Sequence, residues 1–178
     1  MTLVGITNKT LEALAVEFFK RSQGQWQSQR RYYMLNQETK PQEVESQLTI
    51  QFLEPGTPEL IKLAQLHQLE SNQALTCGTV VTWKSNYNQE NKKASIGSTT
   101  FGILGNKLYR DRGFATSKPI VAICSFNHPD TLGLRTEYNG SVFEEEIKLI
   151  GQNYRTRQTI ISRAGQEITI GQYLEKRI

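Results

Sequence analysis

The sequence predicts an all-β protein, an up-and-down antiparallel barrel of about ten strands. Three observations lead to this fold class. From residue 26 onwards, apolar side chains tend to alternate with polar ones, which is the period of a half-buried strand. About ten such segments follow one another, and most are joined by short turns such as Asn139-Gly140, a strong hairpin signal. A meander of this length loses its exposed edges by closing on itself, and a barrel of this size can hold one small ligand.

Two helices are expected beside the strands. Apolar residues recur at helical spacing over residues 8–23, and Gly24 ends this helix. A second, short helix is expected over residues 58–69, because Pro58 suits the first helical position after Thr57. The first helix should cover one mouth or wall of the barrel.

The strands are assigned from the alternation and from the turn residues between them. They are predicted over 26–35 and 47–52, and then near 76–84, 95–104, 107–111, 119–127, 131–138, 141–150, 153–162 and 166–172. The polar segment 85–93 is long enough to be a mobile loop. No repeat or linker divides the chain, so residues 1–178 are expected to form a single β-barrel domain.

Composition argues against several classes of function. The chain has 21 Lys and Arg against 17 Asp and Glu, a net charge of +4, without the basic patch typical of nucleic-acid binding. Cys77 and Cys124 lie in apolar alternating segments, away from any CxxC motif or histidine pair, so we expect buried reduced thiols and no metal site. No signal peptide is visible, and no apolar stretch approaches the roughly 20 residues that insert into and span a bilayer. We therefore expect a cytoplasmic location.

Arginines at alternating positions near the C-terminus are the most informative feature of the chain. If residues 153–162 form a strand, Arg155, Arg157 and Thr159 share one face with Ile161. Either this face is the solvated outside, as is usual for charged residues, or it lines a cavity that binds anions. In the second case the guanidinium groups would bind carboxylates, ideally through paired hydrogen bonds.

For other charged residues, too, the sequence allows more than one orientation or role. Arg30 and Arg31 are neighbours on one strand, so one of the two should face the interior. Arg135 and Glu137 lie two residues apart and are expected to pair with each other, although Glu137 is also a candidate catalytic carboxylate. Among the three acids 144–146, at least one must face inward if its strand is covered on one side. An inward carboxylate near arginines would be an ion-pair partner or a general acid or base.

The order of motifs resembles the S-type phycobiliprotein chromophore lyases of cyanobacteria and related plastids, known as CpcS/CpeS, and the related U-type. The resemblance covers nearly the whole chain. Its marks are Phe18-Phe19, the segment 24–30, Leu48-Thr49-Ile50, Cys77-Gly78 before Trp83, Gly97-Ser98-Thr99, the segment 109–115, Thr136-Glu137-Tyr138, Glu144-Glu145, and Asn153 followed by Arg155, Arg157 and Thr159 at alternate positions.

The resemblance implies a barrel similar to lipocalins and fatty-acid-binding proteins that binds a linear tetrapyrrole, or phycobilin. Phycocyanobilin or phycoerythrobilin would be the substrate, and no prosthetic group is implied. Such proteins attach the bilin to a cysteine of an apo-phycobiliprotein subunit through a thioether bond at ring A. The nucleophilic thiol therefore belongs to the acceptor and not to this chain.

Residue roles follow from the same resemblance. The positions that match the family's pocket are Arg30, Trp83, Arg155, Arg157 and Thr159. The arginines would bind the propionates, and Trp83 would pack against the ring system. Glu175 matches a carboxylate near the family's C-terminus, and this carboxylate, or Glu137, would polarise a pyrrole N–H or move a proton during thiol addition.

The chain departs from the family pattern after Glu144-Glu145. S-type members often continue with arginine and then a Trp-Phe pair, whereas this chain reads Glu146-Ile147-Lys148. Two alternatives therefore stand beside a lyase that acts alone. One is a subunit that works with a homologous lyase partner or as a homodimer. The other is a non-catalytic barrel that binds a bilin or a fatty acid.

Overall fold

The computed structural model of the protein describes residues 8–87, 93–114 and 116–178. It is a closed barrel of ten antiparallel strands with two helices, which confirms the predicted fold class. The helices are α1 (Asn8–Ser22) and α2 (Pro58–Leu66). The strands are β1 (Gly24–Met34), β2 (Gln42–Leu53), β3 (Cys77–Tyr87), β4 (Ser95–Leu104), β5 (Lys107–Arg110), β6 (Ile120–His128), β7 (Thr131–Tyr138), β8 (Ser141–Ile150), β9 (Tyr154–Arg163) and β10 (Gln166–Arg177).

Each strand pairs with its neighbours in the sequence, and β1 pairs with β10 to close the barrel. The closing register places Ser28 opposite Glu175 and Arg30 opposite Tyr173. Side-chain burial alternates along the strands, most regularly in β2, where Val44, Ser46, Leu48 and Ile50 are buried between exposed neighbours. The period of two that predicted the strands is therefore the alternation between the inside and the outside of the barrel.

Helix α1 closes one end of the barrel. Its buried Phe18 packs edge-to-face on Phe126 of β6, with ring centroids 5.8 Å apart. The indole Nε1 of Trp26, at the start of β1, donates a 2.9 Å hydrogen bond to the carbonyl of Ser22 at the helix end. These contacts belong to the main apolar cluster, so this end of the barrel is a packed core.

Helix α2 packs on the outside of β3 and β4. Its buried Leu60 and Leu63 belong to a second, smaller apolar cluster together with Tyr109. The helix and β4 can approach β3 closely because position 78 is a glycine. A Cβ atom there would lie 2.1 Å from the carbonyl oxygen of Phe101 and 2.6 Å from a methyl group of Leu60. The helix therefore stiffens the wall from outside without entering the interior.

Three predicted boundaries were wrong in ways that matter for the interior. Helix α2 ends at Leu66, three residues earlier than expected, and residues 67–68 form a turn. Strand β3 continues to Tyr87, so the first part of the predicted loop 85–93 is strand, while residues 88–92 lie outside the described residues. Strand β10 continues to Arg177, beyond the predicted end at residue 172, because Tyr173 and Glu175 keep alternating inward between the exposed Leu174 and Lys176.

Neither described helix is long and apolar enough to cross a membrane. Both cysteines are reduced and buried, as expected. Burial raises the pKa of the Cys77 and Cys124 thiols to about 12, so both remain protonated at neutral pH.

We expect the substitution Gly78→Ala to lower the free energy of unfolding by about 1–3 kcal/mol, because the new methyl group would meet backbone that cannot move aside. Urea unfolding followed by circular dichroism measures this loss. Thr82→Ala is the matched control, since Thr82 lies on the exposed face of the same strand. Equal stability of the two variants would contradict the proposed seating of α2.

Candidate functional site

A cavity of about 330 Å³ lies inside the barrel between α1 and the opposite end. This volume is within the range of small-ligand sites. Apolar and aromatic side chains form most of its wall, and among the described residues five arginines and one glutamate complete it: Arg30, Arg110, Arg112, Arg155, Arg157 and Glu145. A larger depression, of about 630 Å³, lies on the outer face of β1, β2, β9 and β10, but mostly outward-facing polar side chains line it. The interior cavity is therefore the candidate site.

Arg155, which lines the cavity, forms a buried ion pair with Glu175 behind it. Nε and one terminal nitrogen of Arg155 each lie 2.7 Å from the same carboxylate oxygen, and the two residues are paired in the β9–β10 register. The Arg155 guanidinium also lies 5.2 Å from the centre of the Trp26 ring. Burial alone would raise the pKa of Glu175, but the attraction of Arg155 and Arg157 and a hydrogen bond from Ser28 outweigh it and lower the pKa. Glu175 is therefore held as a carboxylate.

Glu145 is the carboxylate that faces the cavity. One oxygen accepts a hydrogen bond from Arg157, and the other lies 3.4 Å from a terminal nitrogen of Arg110. Burial lowers the pKa of Arg110, partly offset by Glu145. Burial also acts to lower the pKa of Arg157, but the attraction of Glu145, Tyr173 and Glu175 together with the hydrogen bond to Glu145 outweighs it and raises the pKa. Glu145 therefore organises two arginines from β5 and β9 around one point of the wall.

Several buried polar atoms around this point have no hydrogen-bond partner among the described residues. They include Nε of Arg110, Nε of Arg157 and the hydroxyl groups of Thr159 and Thr136. Buried donors are normally paired, and Arg110 and Arg157 line the cavity, so their unpaired Nε atoms favour a polar ligand or water there. Thr159 is paired in register with Glu145, which places its hydroxyl group in this part of the interior.

Arg30 and Trp83 also line the cavity, from two other strands. Nε of Arg30 donates a 3.2 Å hydrogen bond to the Ser28 hydroxyl group, and its guanidinium lies 5.0 Å from the centre of the Tyr173 ring. The Trp83 ring lies against the backbone of Gly97 on β4, where a Cβ atom would come within 2.4 Å of the indole. Of the five residues predicted for the pocket, Arg30, Trp83, Arg155 and Arg157 line the cavity, and Thr159 is buried without lining it.

Glu137 lies elsewhere. Its side chain is 63% exposed on the outer face of β7 and accepts hydrogen bonds from Arg135, which also binds Glu144. The expected pairing of Arg135 with Glu137 is observed, and the alternation of β7 explains it, because Leu134 and Thr136 take the inward positions. The structure therefore does not bring Glu137 to the cavity, contrary to its selection as a candidate catalytic residue.

Sequence reasoning did not single out several residues of this site, among them Glu145, Arg110, Arg112 and Tyr173. A signal for Glu145 existed, because it alternates with Phe143, Ile147 and Leu149 and must share their inward face. Arg110 ends a four-residue strand that is too short for a clear period, and Tyr173 lies beyond the predicted end of β10. Arg31, by contrast, faces outward and pairs with Glu43 at 3.1 Å.

The fold and the cavity define the class: a closed ten-stranded β barrel whose interior cavity is lined by apolar, aromatic and arginine side chains. The profile of the family described as CpeS-like protein matches residues 15–178. The chain belongs to this family, and the resemblance seen in the sequence is confirmed.

Individual relatives agree with this assignment. A protein of Nostoc sp. (strain PCC 7120) with the name "Putative phycocyanobilin lyase CpcS 2" is 62% identical over 168 residues, which are 94% of this chain and 92% of that protein. The "Chromophore lyase CpcS/CpeS" of Thermosynechococcus vestitus is 31% identical over 156 residues, 84% of each chain. The structure of the S-type phycobiliprotein lyase CpeS from Guillardia theta matches 92% of both chains with a TM-score of 0.75 and 23% identity, which supports the fold.

We expect Glu175→Gln to lower the free energy of unfolding by about 3 kcal/mol at pH 7, because it leaves the buried Arg155 charge without its counter-ion. Since folding lowers the pKa of Glu175, its contribution is complete above the model-peptide pKa of 4.5 and is lost as the pH falls towards the folded value. The difference between wild type and variant should therefore shrink between pH 7 and pH 3 in urea unfolding experiments. Glu137→Gln is the control and should show little effect at either pH; a Glu175→Gln deficit that does not depend on pH would contradict the ion-pair account.

Proposed function

We propose that this protein is a phycobiliprotein lyase that binds a linear tetrapyrrole in its barrel and attaches it to a cysteine of an apo-phycobiliprotein subunit. The observation that carries the proposal is the cavity itself, in which Glu145 stands between Arg110 and Arg157 on a wall that is otherwise largely aromatic and apolar. Membership of the CpeS-like family and the names of the relatives support it.

The chemistry of a bilin complements this cavity. Its long conjugated body suits the rings of Trp83, Phe101 and Phe114, and its two propionates suit an interior with more arginines than carboxylates. Its pyrrole N–H groups need an acceptor, and Glu145 offers carboxylate oxygens at the cavity surface. A fatty acid would use the apolar wall and one arginine, and would leave the remaining buried charges without a function.

The reaction adds the S–H of the acceptor cysteine across a carbon–carbon double bond at ring A. A C–S bond forms, the proton is taken up by the bilin, and nothing leaves, so the protein has to orient the bilin and control the proton. We assign the carboxylate that contacts the pyrrole N–H groups to Glu145, because Glu145 lines the cavity and Glu175 does not. Glu175 acts as a positioning residue that fixes Arg155.

The direct test combines the purified protein, phycocyanobilin and an apo-phycocyanin subunit. We expect a covalent adduct, detected as a zinc-fluorescent band and by its absorbance, to form faster than in the reaction without this protein. If an adduct appears only after a homologous lyase subunit is added, the chain is one half of a heteromeric enzyme. If the protein binds the bilin tightly but no transfer occurs with or without the homologous subunit, it is a binding protein and the lyase function is refuted.

Glu145→Gln should slow transfer by about 100-fold in protein that is folded and loaded with bilin, because the amide cannot take up or stabilise a proton. The matched control is Glu144→Gln, one residue away on the exposed face of the same strand. Transfer rates are measured under saturating phycocyanobilin. Equal transfer rates for the two variants would show that Glu145 has no role in the transfer reaction.

The proposal extends to the particular bilin, the acceptor subunit, a partner in the lyase and the cellular location. Phycocyanobilin is the favoured bilin over phycoerythrobilin, because the relative with 62% identity is named for it. The acceptor would be a phycocyanin-type subunit, with a homologous subunit or a second copy of this chain as partner in the lyase. Glu146-Ile147-Lys148, which departs from the S-type pattern, motivates the test with a partner. A cytoplasmic location is proposed on the same basis as the lyase function.

A further inference from the structure

The arginines of the cavity divide into two groups by their partners. Arg155 is paired with Glu175, and Arg110 and Arg157 share Glu145, so these three guanidinium groups already have counter-ions. Arg30 and Arg112 line the same cavity, but neither has a carboxylate within 4.0 Å in the part of the chain that the structure describes. Two cavity arginines are therefore available to an anionic ligand.

Arg112 lies at the end of the barrel opposite α1, in the segment that follows β5. Its guanidinium is 5.6 Å from the centre of the Trp83 ring. Trp83 is itself seated on Gly97, so its indole cannot move back into the wall. Arg112 is thus close to the aromatic surface against which the bilin is expected to pack, while its side chain remains exposed to solvent.

The residues next to Arg112 are held in place on both sides. The carboxylate of Asp111 accepts hydrogen bonds from the Thr99 hydroxyl group at 2.7 Å and from the Thr100 N–H at 3.1 Å. The ring of Phe114 stacks on Phe143, with centroids 5.1 Å apart and planes 7° apart. The backbone that carries Arg112 is therefore fixed to the barrel, although the residue follows the end of a strand.

We propose that Arg112 is a substrate-binding residue that takes one propionate of the bilin, while Arg30 takes the other. This inference rests on the lyase function proposed above. An exposed contact between a guanidinium and an indole is weaker than a paired hydrogen bond to a carboxylate, so a propionate would draw the Arg112 side chain away from Trp83. The arginines that are already paired would instead position Glu145 and the bilin rings.

The experiment is a spectroscopic titration of wild type, Arg112→Ala and Arg163→Ala with phycocyanobilin and, separately, with its dimethyl ester. Arg163 is the matched control, because it is an exposed arginine at the same end of the barrel that does not line the cavity. We expect Arg112→Ala to weaken binding of the free acid by about 10- to 100-fold and to leave binding of the ester unchanged. Arg163→Ala should change neither affinity by more than about twofold.

Each other outcome overturns the inference. If Arg112→Ala and Arg163→Ala bind phycocyanobilin equally well, Arg112 does not contact the propionate. If Arg112→Ala weakens the acid and the ester to the same extent, Arg112 acts through packing on Trp83 alone. Failure of the wild-type protein to bind phycocyanobilin at all is seen in the first titration and refutes the proposed function itself. Near-UV circular dichroism checks that the variants keep the wild-type packing.

Discussion

A charge inside a closed barrel needs a partner, and this constraint organises the interior of the protein. Arg155 is buried against Glu175, and Arg157 and Arg110 are buried against Glu145. Removing one member of such a pair leaves the other charge without a counter-ion in an interior that solvates charge poorly. The two glutamates therefore make it possible for the arginines to stand on the inner wall without a ligand.

Closure of the barrel brings the members of these ion pairs together. Because β1 pairs with β10, Ser28 comes opposite Glu175, and the β9–β10 register brings Arg155 to the other side of the same carboxylate. Phe18 of α1 packs on Phe126 of β6 at one end of the barrel, and Arg155 lies beside Trp26 of the same apolar cluster. The interior therefore combines an apolar core with a cavity whose wall carries buried ion pairs.

Sequence reasoning went furthest where the period of two was clean. The strand 153–162 could be predicted, and alternation placed Arg155 and Arg157 on one face. Alternation did not decide whether that face is the inside or the outside of the barrel. Strand β5 was predicted, but it is too short for its period to show that Arg110 faces the interior, and the inward Tyr173 lies beyond the predicted end of β10. Glu137 shows a different failure, because a carboxylate next to an arginine in the sequence carries no information about which face of the wall it occupies.

The sequence by itself determined the class of fold, the number of strands and the family, because these depend on periodicity, turn residues and the order of motifs along the chain. Only the tertiary structure decided which charges meet. Glu145 and Arg110 are 35 residues apart, and Arg155 and Glu175 are 20 residues apart. The partners of a buried charge follow from strand register and barrel closure, which are properties of the whole sheet. For the same reason, only the structure distinguishes Arg30 and Arg112, which have no carboxylate partner among the described residues, from the paired arginines of the cavity.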